Sequence, residues 1–180
     1  MIIKYNLGKD ENTMKNHVWY ACYGSNLLEE RFLLYIKGGF CRFNGKEYPG
    51  CKTDKTMPVE KKPISIPYEL YFGKQSPSWD FGGVAFLNPR EDARFNTLGR
   101  MYLITEEQFG DIQKQEGIGW YNHVLNLGTC NGIPIKTFTH SELFPKNKPS
   151  EKYIDVVVAG LWETYPSMPK EEIEKYLLFE

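Results

Sequence analysis

Glu116 is followed by Gly117, Ile118, Gly119, Trp120 and Tyr121, at the end of a stretch with helical character. A carboxylate in the last turn of a helix faces the negative end of the macrodipole. Partly buried beside aromatics and glycines, it should have a raised pKa. A carboxyl group that titrates nearer neutrality can take up a proton and return it. Far upstream, Tyr23-Gly24-Ser25-Asn26-Leu27 joins an apolar run to a helix-like run. A strand, a loop of small residues and a helix start bring several backbone N–H groups together, where an anion can be held. Gly24 lets a ligand approach the main chain, because no Cβ stands in the way. Taken alone, each segment has a plainer reading: an exposed glutamate before a C-cap glycine, and an ordinary strand-to-helix turn. Together they suggest a proton carrier and an anion cradle.

Other chemistry finds little support. Glu29, Glu30, Glu106, Glu107, Glu171 and Glu172 fall on exposed helix faces or in first turns, where acids are electrostatically favoured. His17, His123 and His140 are scattered, and no serine or cysteine makes a nucleophile motif with them. Cys22 abuts the loop but reads as a small core residue. Trp79-Asp80-Phe81-Gly82-Gly83 reads as a turn into a strand, since no helix follows to complete a phosphate loop. Neither the histidines nor the four cysteines have metal-ligand spacing, so no metal is expected. A Cys41–Cys51 bridge is conceivable. Residues 1–16 are polar and lack the apolar core of a secretory signal, which argues instead for free thiols in a reducing cytoplasm. With 22 Lys+Arg against 23 Asp+Glu the net charge is -1, and no basic excess points to nucleic acid or a membrane surface. Apolar runs such as Val156-Val157-Val158-Ala159 are far too short to span a bilayer.

The elements that must position these residues follow from pattern. The length of 180 residues favours one domain, 1–180, with a lead-in over 1–16. A strand is expected over about 17–23 and a helix over about 27–37, stopped by Gly38-Gly39. The segment from about 40 to 62 lacks periodicity and reads as an insertion or surface lobe. Ile64 to Phe72 reads as one strand, with Pro67 disturbing it or placing it at an edge. Gly82–Leu87 and Leu98–Ile104 read as two more. Thr105 and Gln108 form a capping box for a helix carrying Phe109 and Ile112 on one side, with Gly117 at a left-handed C-cap. Val124–Leu127 and Ile133–Thr139 form a hairpin through Asn131-Gly132. Pro149-Ser150 opens a helix with Ile154, Val157, Val158 and Leu161 at helical spacing, and Pro169 opens another over Glu171–Leu178. The class is α+β, with mostly antiparallel strands.

In order along the chain, these pieces resemble the gamma-glutamylcyclotransferase family. Tyr23-Gly24-Ser25-Asn26-Leu27 is similar to its substrate-binding loop. Gly82-Gly83-Val84-Ala85 is similar to its glycine-rich strand, and Leu98-Gly99-Arg100-Met101-Tyr102 to the strand after it. Gln115-Glu116-Gly117 matches the position of its catalytic glutamate. Tyr121 resembles a tyrosine lining the pocket. Pro149-Ser150-Glu151-Lys152-Tyr153, leading to Gly160, resembles a Pro-Ser-x-x-Tyr helix start in which Tyr153 faces the pocket. The resemblance implies a small β-barrel-like sheet flanked by helices. It implies cofactor-independent release of 5-oxoproline from a small gamma-glutamyl substrate, with Glu116 as base and then acid. The 40–62 segment is longer than compact members need, and it either covers the pocket or is ornament. In a branch specialised for glutathione the residue after Gly-Ser is usually not asparagine, so gamma-glutamyl amino acids or amines are the expected substrates. A non-catalytic protein holding a glutamyl-like ligand in the same pocket is the alternative, and an aromatic-rich interaction module ranks below it.

Overall fold

The computed structural model describes residues 16–178. The lead-in expected over 1–16 lies, apart from Asn16, outside the described residues. In chain order the elements are β1 (His17–Cys22), a 3-10 turn (Ser25–Leu27), α1 (Glu29–Lys37), β2 (Gly39–Cys41), β3 (Lys46–Tyr48), β4 (Lys61–Ile66), β5 (Leu70–Ser76) and β6 (Gly82–Leu87). They continue with β7 (Thr97–Thr105), α2 (Glu106–Glu116), β8 (His123–Cys130), β9 (Ile133–Thr139), α3 (Glu151–Thr164) and α4 (Lys170–Leu178). The fold is α+β.

Five strands form one sheet in the order β4-β7-β1-β9-β8. All its pairs are antiparallel except β1 with β9. The central strand β1 is buried along its length from Val18 to Cys22, which explains its unbroken apolar run. The β5–β6 ribbon is a separate sheet held to the end of β9, where the Thr139 hydroxyl bonds both the N–H and the carbonyl of Leu87. The barrel-like wall is thus an open sheet extended by a side-chain contact.

Local chemistry accounts for most boundaries. The Thr105–Gln108 capping box is present with both reciprocal bonds. Asn131 and Gly132 have φ of 50° and 77°, as a tight two-residue hairpin requires. Gly117 caps α2 with φ 96° and ψ 110°, a more extended conformation than the left-handed cap expected. On α3 the buried stripe is Tyr153, Val156, Val157, Gly160 and Leu161, so Ile154 and Val158 flank it rather than lead it.

One expectation needs correction, and one segment gains detail. The strand expected over Ile64–Phe72 is two strands in different sheets: β4 pairs with β7, and β5 pairs with β6. Pro67 offers no N–H, and the Tyr68 N–H turns back to the Ile66 carbonyl at 2.9 Å, so the chain leaves the first sheet there. The segment 40–62, expected as an insertion or surface lobe, has regular structure of its own. It contains the β2–β3 hairpin, the buried Cys41, Tyr48 and Cys51, and the start of β4. All four cysteines are free.

Helix α3 packs closely on the 3-10 turn. A Cβ on Gly160 would lie 2.4 Å from the Leu28 nitrogen and 2.5 Å from the Leu27 Cβ. Main-chain atoms cannot yield as a flexible side chain can. Gly160→Ala should therefore displace the turn and destabilise the protein by roughly 1–3 kcal/mol, read as a lowered midpoint in urea unfolding. An unchanged midpoint would contradict this packing.

Candidate active site

A cavity of about 350 Å³ lies between the 3-10 turn, the end of α2, the β5–β6 ribbon and the start of α3. Tyr23, Gly24, Ser25, Asn26, Glu116, Tyr121 and Tyr153 all line it. The residues singled out at two distant points of the sequence therefore meet. Leu27 does not line it: this residue is 1% exposed and packs in the core against Gly160. Its N–H closes the turn onto the Gly24 carbonyl at 3.0 Å, so this member of the expected backbone cradle supplies no free donor and has a structural role.

Glu116 ends α2 and is half-buried where it lines the cavity. Asn26 Nδ2 donates to Glu116 Oε1 at 2.8 Å and to the Tyr20 hydroxyl at 3.1 Å. The Tyr35 hydroxyl also favours the ionised form of the carboxyl group. Burial pushes the Glu116 pKa up, and the Arg31 charge with Tyr35 and the Asn26 bond opposes it only in part. The Asn26 side chain is thus committed to holding the carboxyl group. Its Oδ1 is buried without a protein partner.

The loop is anchored from below by β7. The Tyr102 hydroxyl donates to the Asn26 carbonyl at 3.1 Å, and Arg100 Nη1 donates to the Leu27 carbonyl at 3.0 Å. Arg100 is itself held by Glu163 and, at 3.6 Å, by Glu29. The N–H groups of Leu27 and Leu28 close the turn onto Gly24 and Ser25. Those of Gly24, Ser25 and Asn26 are not used in closing it. Gly24 must lack a side chain, since a Cβ would stand 2.7 Å from the Tyr153 hydroxyl. That hydroxyl accepts from the Ala85 N–H at 3.0 Å and is also bonded by the Ser25 backbone. While accepting from Ala85, it can donate its own proton to a ligand oxygen. Tyr23 and Tyr121 instead donate to the carbonyls of Phe138 (2.7 Å) and Ala85 (3.0 Å), so they shape the cavity with their rings.

Sequence reasoning missed Tyr20, Arg31, Tyr35, Tyr48 and Trp79, all of which line the cavity. One signal was available. Arg31 lies between Leu28 and Phe32 on the apolar stripe of α1, where a solvated charge is out of place. The three histidines do not line the cavity. Cys22 does, but burial pushes its thiol well above the usual range, and Sγ donates to the Arg100 carbonyl at 3.2 Å. It is a neutral thiol and not a nucleophile. Among the described residues no cluster of His, Cys, Asp or Glu has the makings of a metal site, and no helix is long and apolar enough to cross a membrane.

A carboxyl group whose pKa is raised by folding binds its proton more tightly in the native state. The stability it contributes is complete below the unfolded pKa, roughly 4.3 for glutamate, and is lost as pH rises through the folded value. Glu116→Gln, which cannot ionise, should therefore be at least as stable as the parent at neutral pH. The difference should shrink at pH 4. Urea unfolding at both pH values checks this, and marked destabilisation at neutral pH alone would contradict it.

No protein-family model matches the chain. Histone deacetylase 5 of Arabidopsis thaliana is 33% identical over 203 residues, covering 91% of this chain and 30% of that protein. The chain thus spans about a third of the length of that curated relative. Among solved structures, an uncharacterized human protein is similar at 21% identity and a TM-score of 0.64, covering 92% of this chain and 89% of that one. A gamma-glutamyl cyclotransferase is similar at 22% identity and a TM-score of 0.63, covering 91% and 88%. The Bacillus subtilis protein YkqA follows at 20% identity and a TM-score of 0.56, covering 92% and 54%. The chain has the gamma-glutamyl cyclotransferase-like fold.

Proposed function

We propose that this chain is a gamma-glutamyl cyclotransferase-type enzyme that releases 5-oxoproline from small gamma-glutamyl amino acids or amines. The observation that carries the reading is the enclosed Glu116 carboxyl group, held by Asn26 beside the Gly24–Asn26 loop. A protein built only to bind an anion has no use for a second carboxylate in the same cavity, whereas a proton shuttle needs one.

The chemistry runs through this side chain. The substrate α-ammonium passes a proton to ionised Glu116. The freed amine attacks the γ-carbonyl carbon, forming the lactam C–N bond and a tetrahedral oxyanion. The attacking nitrogen gives up its second proton as the bond to the leaving nitrogen breaks, and Glu116 returns protons to the departing amine. The amine leaves as an ammonium ion, so protons balance. No external nucleophile, metal or cofactor enters these steps. Ring closure is intramolecular, and holding the chain folded back supplies much of the acceleration. The loop N–H groups and the Tyr153 hydroxyl serve as donors to the α-carboxylate or to the developing oxyanion. The free thiols fit a reducing cytoplasm.

Purified protein should release 5-oxoproline from a panel of gamma-glutamyl amino acids and amines. Glu116→Gln should lower kcat by roughly 10²–10⁴-fold with the fold intact. Because ionised Glu116 is the base and burial raises its pKa, kcat/KM should fall on acidification at a pH above the ordinary glutamate range. Full activity in Glu116→Gln would overturn the assigned role. Calorimetric binding of 5-oxoproline without turnover of any compound would point to a binding protein on the same scaffold.

A further inference from the structure

The connection from β5 to β6 carries left-handed backbone at Lys74, Asp80 and Phe81, with φ of 63°, 55° and 59°. For a residue with a Cβ this conformation is unfavourable, and it persists only where the surroundings hold it. Here the holding is dense. Asn147 Nδ2 donates to the carbonyls of Lys74 (2.7 Å) and Phe81 (3.1 Å), one on each side of the turn. The Asn147 N–H donates to the Phe72 carbonyl at 2.9 Å, and the Gly83 N–H to the Lys148 carbonyl at 2.9 Å. Lys152 pairs with Asp80 at 2.6 Å. Phe81 itself is 64% exposed, so the strain does not serve to bury its ring.

What the turn buries is Trp79. Its side chain is 4% exposed and lines the cavity. The indole meets the Tyr153 ring edge-on, with centroids 5.1 Å apart and planes at 80°. Asp80 and Lys152 are the chain neighbours of these two residues, so the ion pair and the ring contact tie the same two points together. The Tyr153 hydroxyl is held from the same ribbon by the Ala85 N–H at 3.0 Å. A tyrosine hydroxyl lies at the far end of its side chain, where a small rotation of the ring moves it most. Packing against the ring is what restricts that rotation, and a donor kept in one geometry needs such support.

Resting on the cyclotransferase reading, we propose that Trp79 is a positioning residue for the Tyr153 hydroxyl, and that the strained turn, clamped by Asn147, exists to hold the indole against that ring. The hydroxyl then meets a substrate oxygen already aligned. Without the indole the ring gains freedom, and the donor spends less time in the productive geometry.

A double-mutant cycle separates this role from plain packing. The readout is kcat/KM for γ-glutamyl-alanine in wild type, Trp79→Leu, Tyr153→Phe and the double variant. A residue that acts through the hydroxyl matters only while the hydroxyl is present. Trp79→Leu should therefore lower kcat/KM roughly tenfold in the wild-type background. In the Tyr153→Phe background its effect should be less than about twofold. Trp79→Phe, which keeps an edge-on ring, should recover most of the loss. Asn147→Ala loosens the turn and leaves the indole in the chain. It should show the same dependence on the hydroxyl, and it supplies the cycle if circular dichroism shows that Trp79→Leu does not fold. Equal losses in both backgrounds, or no loss in either, would overturn the proposal. So would a Trp79→Phe loss as large as that of Trp79→Leu. Should wild type release no 5-oxoproline from any γ-glutamyl compound, the cyclotransferase reading itself falls. The same cycle is then read on the Kd of 5-oxoproline by calorimetry. Weakening confined to the proteins that keep the hydroxyl supports the positioning role, and equal weakening or absent binding overturns it.

Discussion

The hydrogen bond from Asn26 to Glu116 joins positions 90 residues apart and fixes the one carboxyl group that lines the cavity among the described residues. An ionised carboxylate taken out of water is penalised by desolvation, so its environment must supply donors or leave it partly protonated. Here both happen. The Arg31 charge, Tyr35 and the Asn26 donor favour the charged form, and burial outweighs them enough to leave the pKa raised. This balance keeps the group exchangeable. More donors would hold it as an inert anion, and fewer would hold it as an inert acid.

The rest of the fold serves that balance by removing freedom from the two segments that meet. Strand β7 ties down consecutive loop carbonyls through Tyr102 and Arg100. Gln115 Nε2 donates to the Tyr35 carbonyl at 2.9 Å and so fastens the end of α2 to α1. Gly160 admits the 3-10 turn close to α3. Each is a modest interaction. Together they define the approach of a loop amide to a helix-terminal carboxyl group, and productive geometry depends on fractions of an ångström.

Much of this was legible in the sequence wherever local chemistry dictates structure. The capping box at Thr105, the Asn131-Gly132 hairpin and the Ser150 helix start are local signals, and all three are present. The loop and Glu116 were found from residue type and from a family resemblance, and the structure brings them to one cavity. What escaped was non-local. Pro67 was recognised as a disturbance, but no periodicity reveals that the strands on its two sides pair with different partners. Asn26 was read as part of a backbone cradle, and only tertiary structure shows its side-chain amide donating to Glu116. Tyr48 sat in a stretch without pattern, because a three-residue strand is too short to show one. Arg31 was passed over although a cation on an apolar helix face is a readable anomaly.

The enclosed charges also explain the aromatic richness of the chain. Tyrosine presents a ring that excludes water and a hydroxyl that satisfies a polar neighbour. Tyr20, Tyr35, Tyr48, Tyr102 and Tyr153 each hydrogen-bond a group in the cavity or its loop while packing in the core. The most direct test of the central claim is an NMR titration of the protein carrying ¹³C-labelled glutamate carboxyl groups, with Glu116→Gln assigning the resonance. A Glu116 midpoint clearly above those of the exposed glutamates, falling towards them in Asn26→Ala as water enters the site, is the expected result. A midpoint at or below the exposed glutamates would contradict the claim that enclosure makes this group a proton carrier.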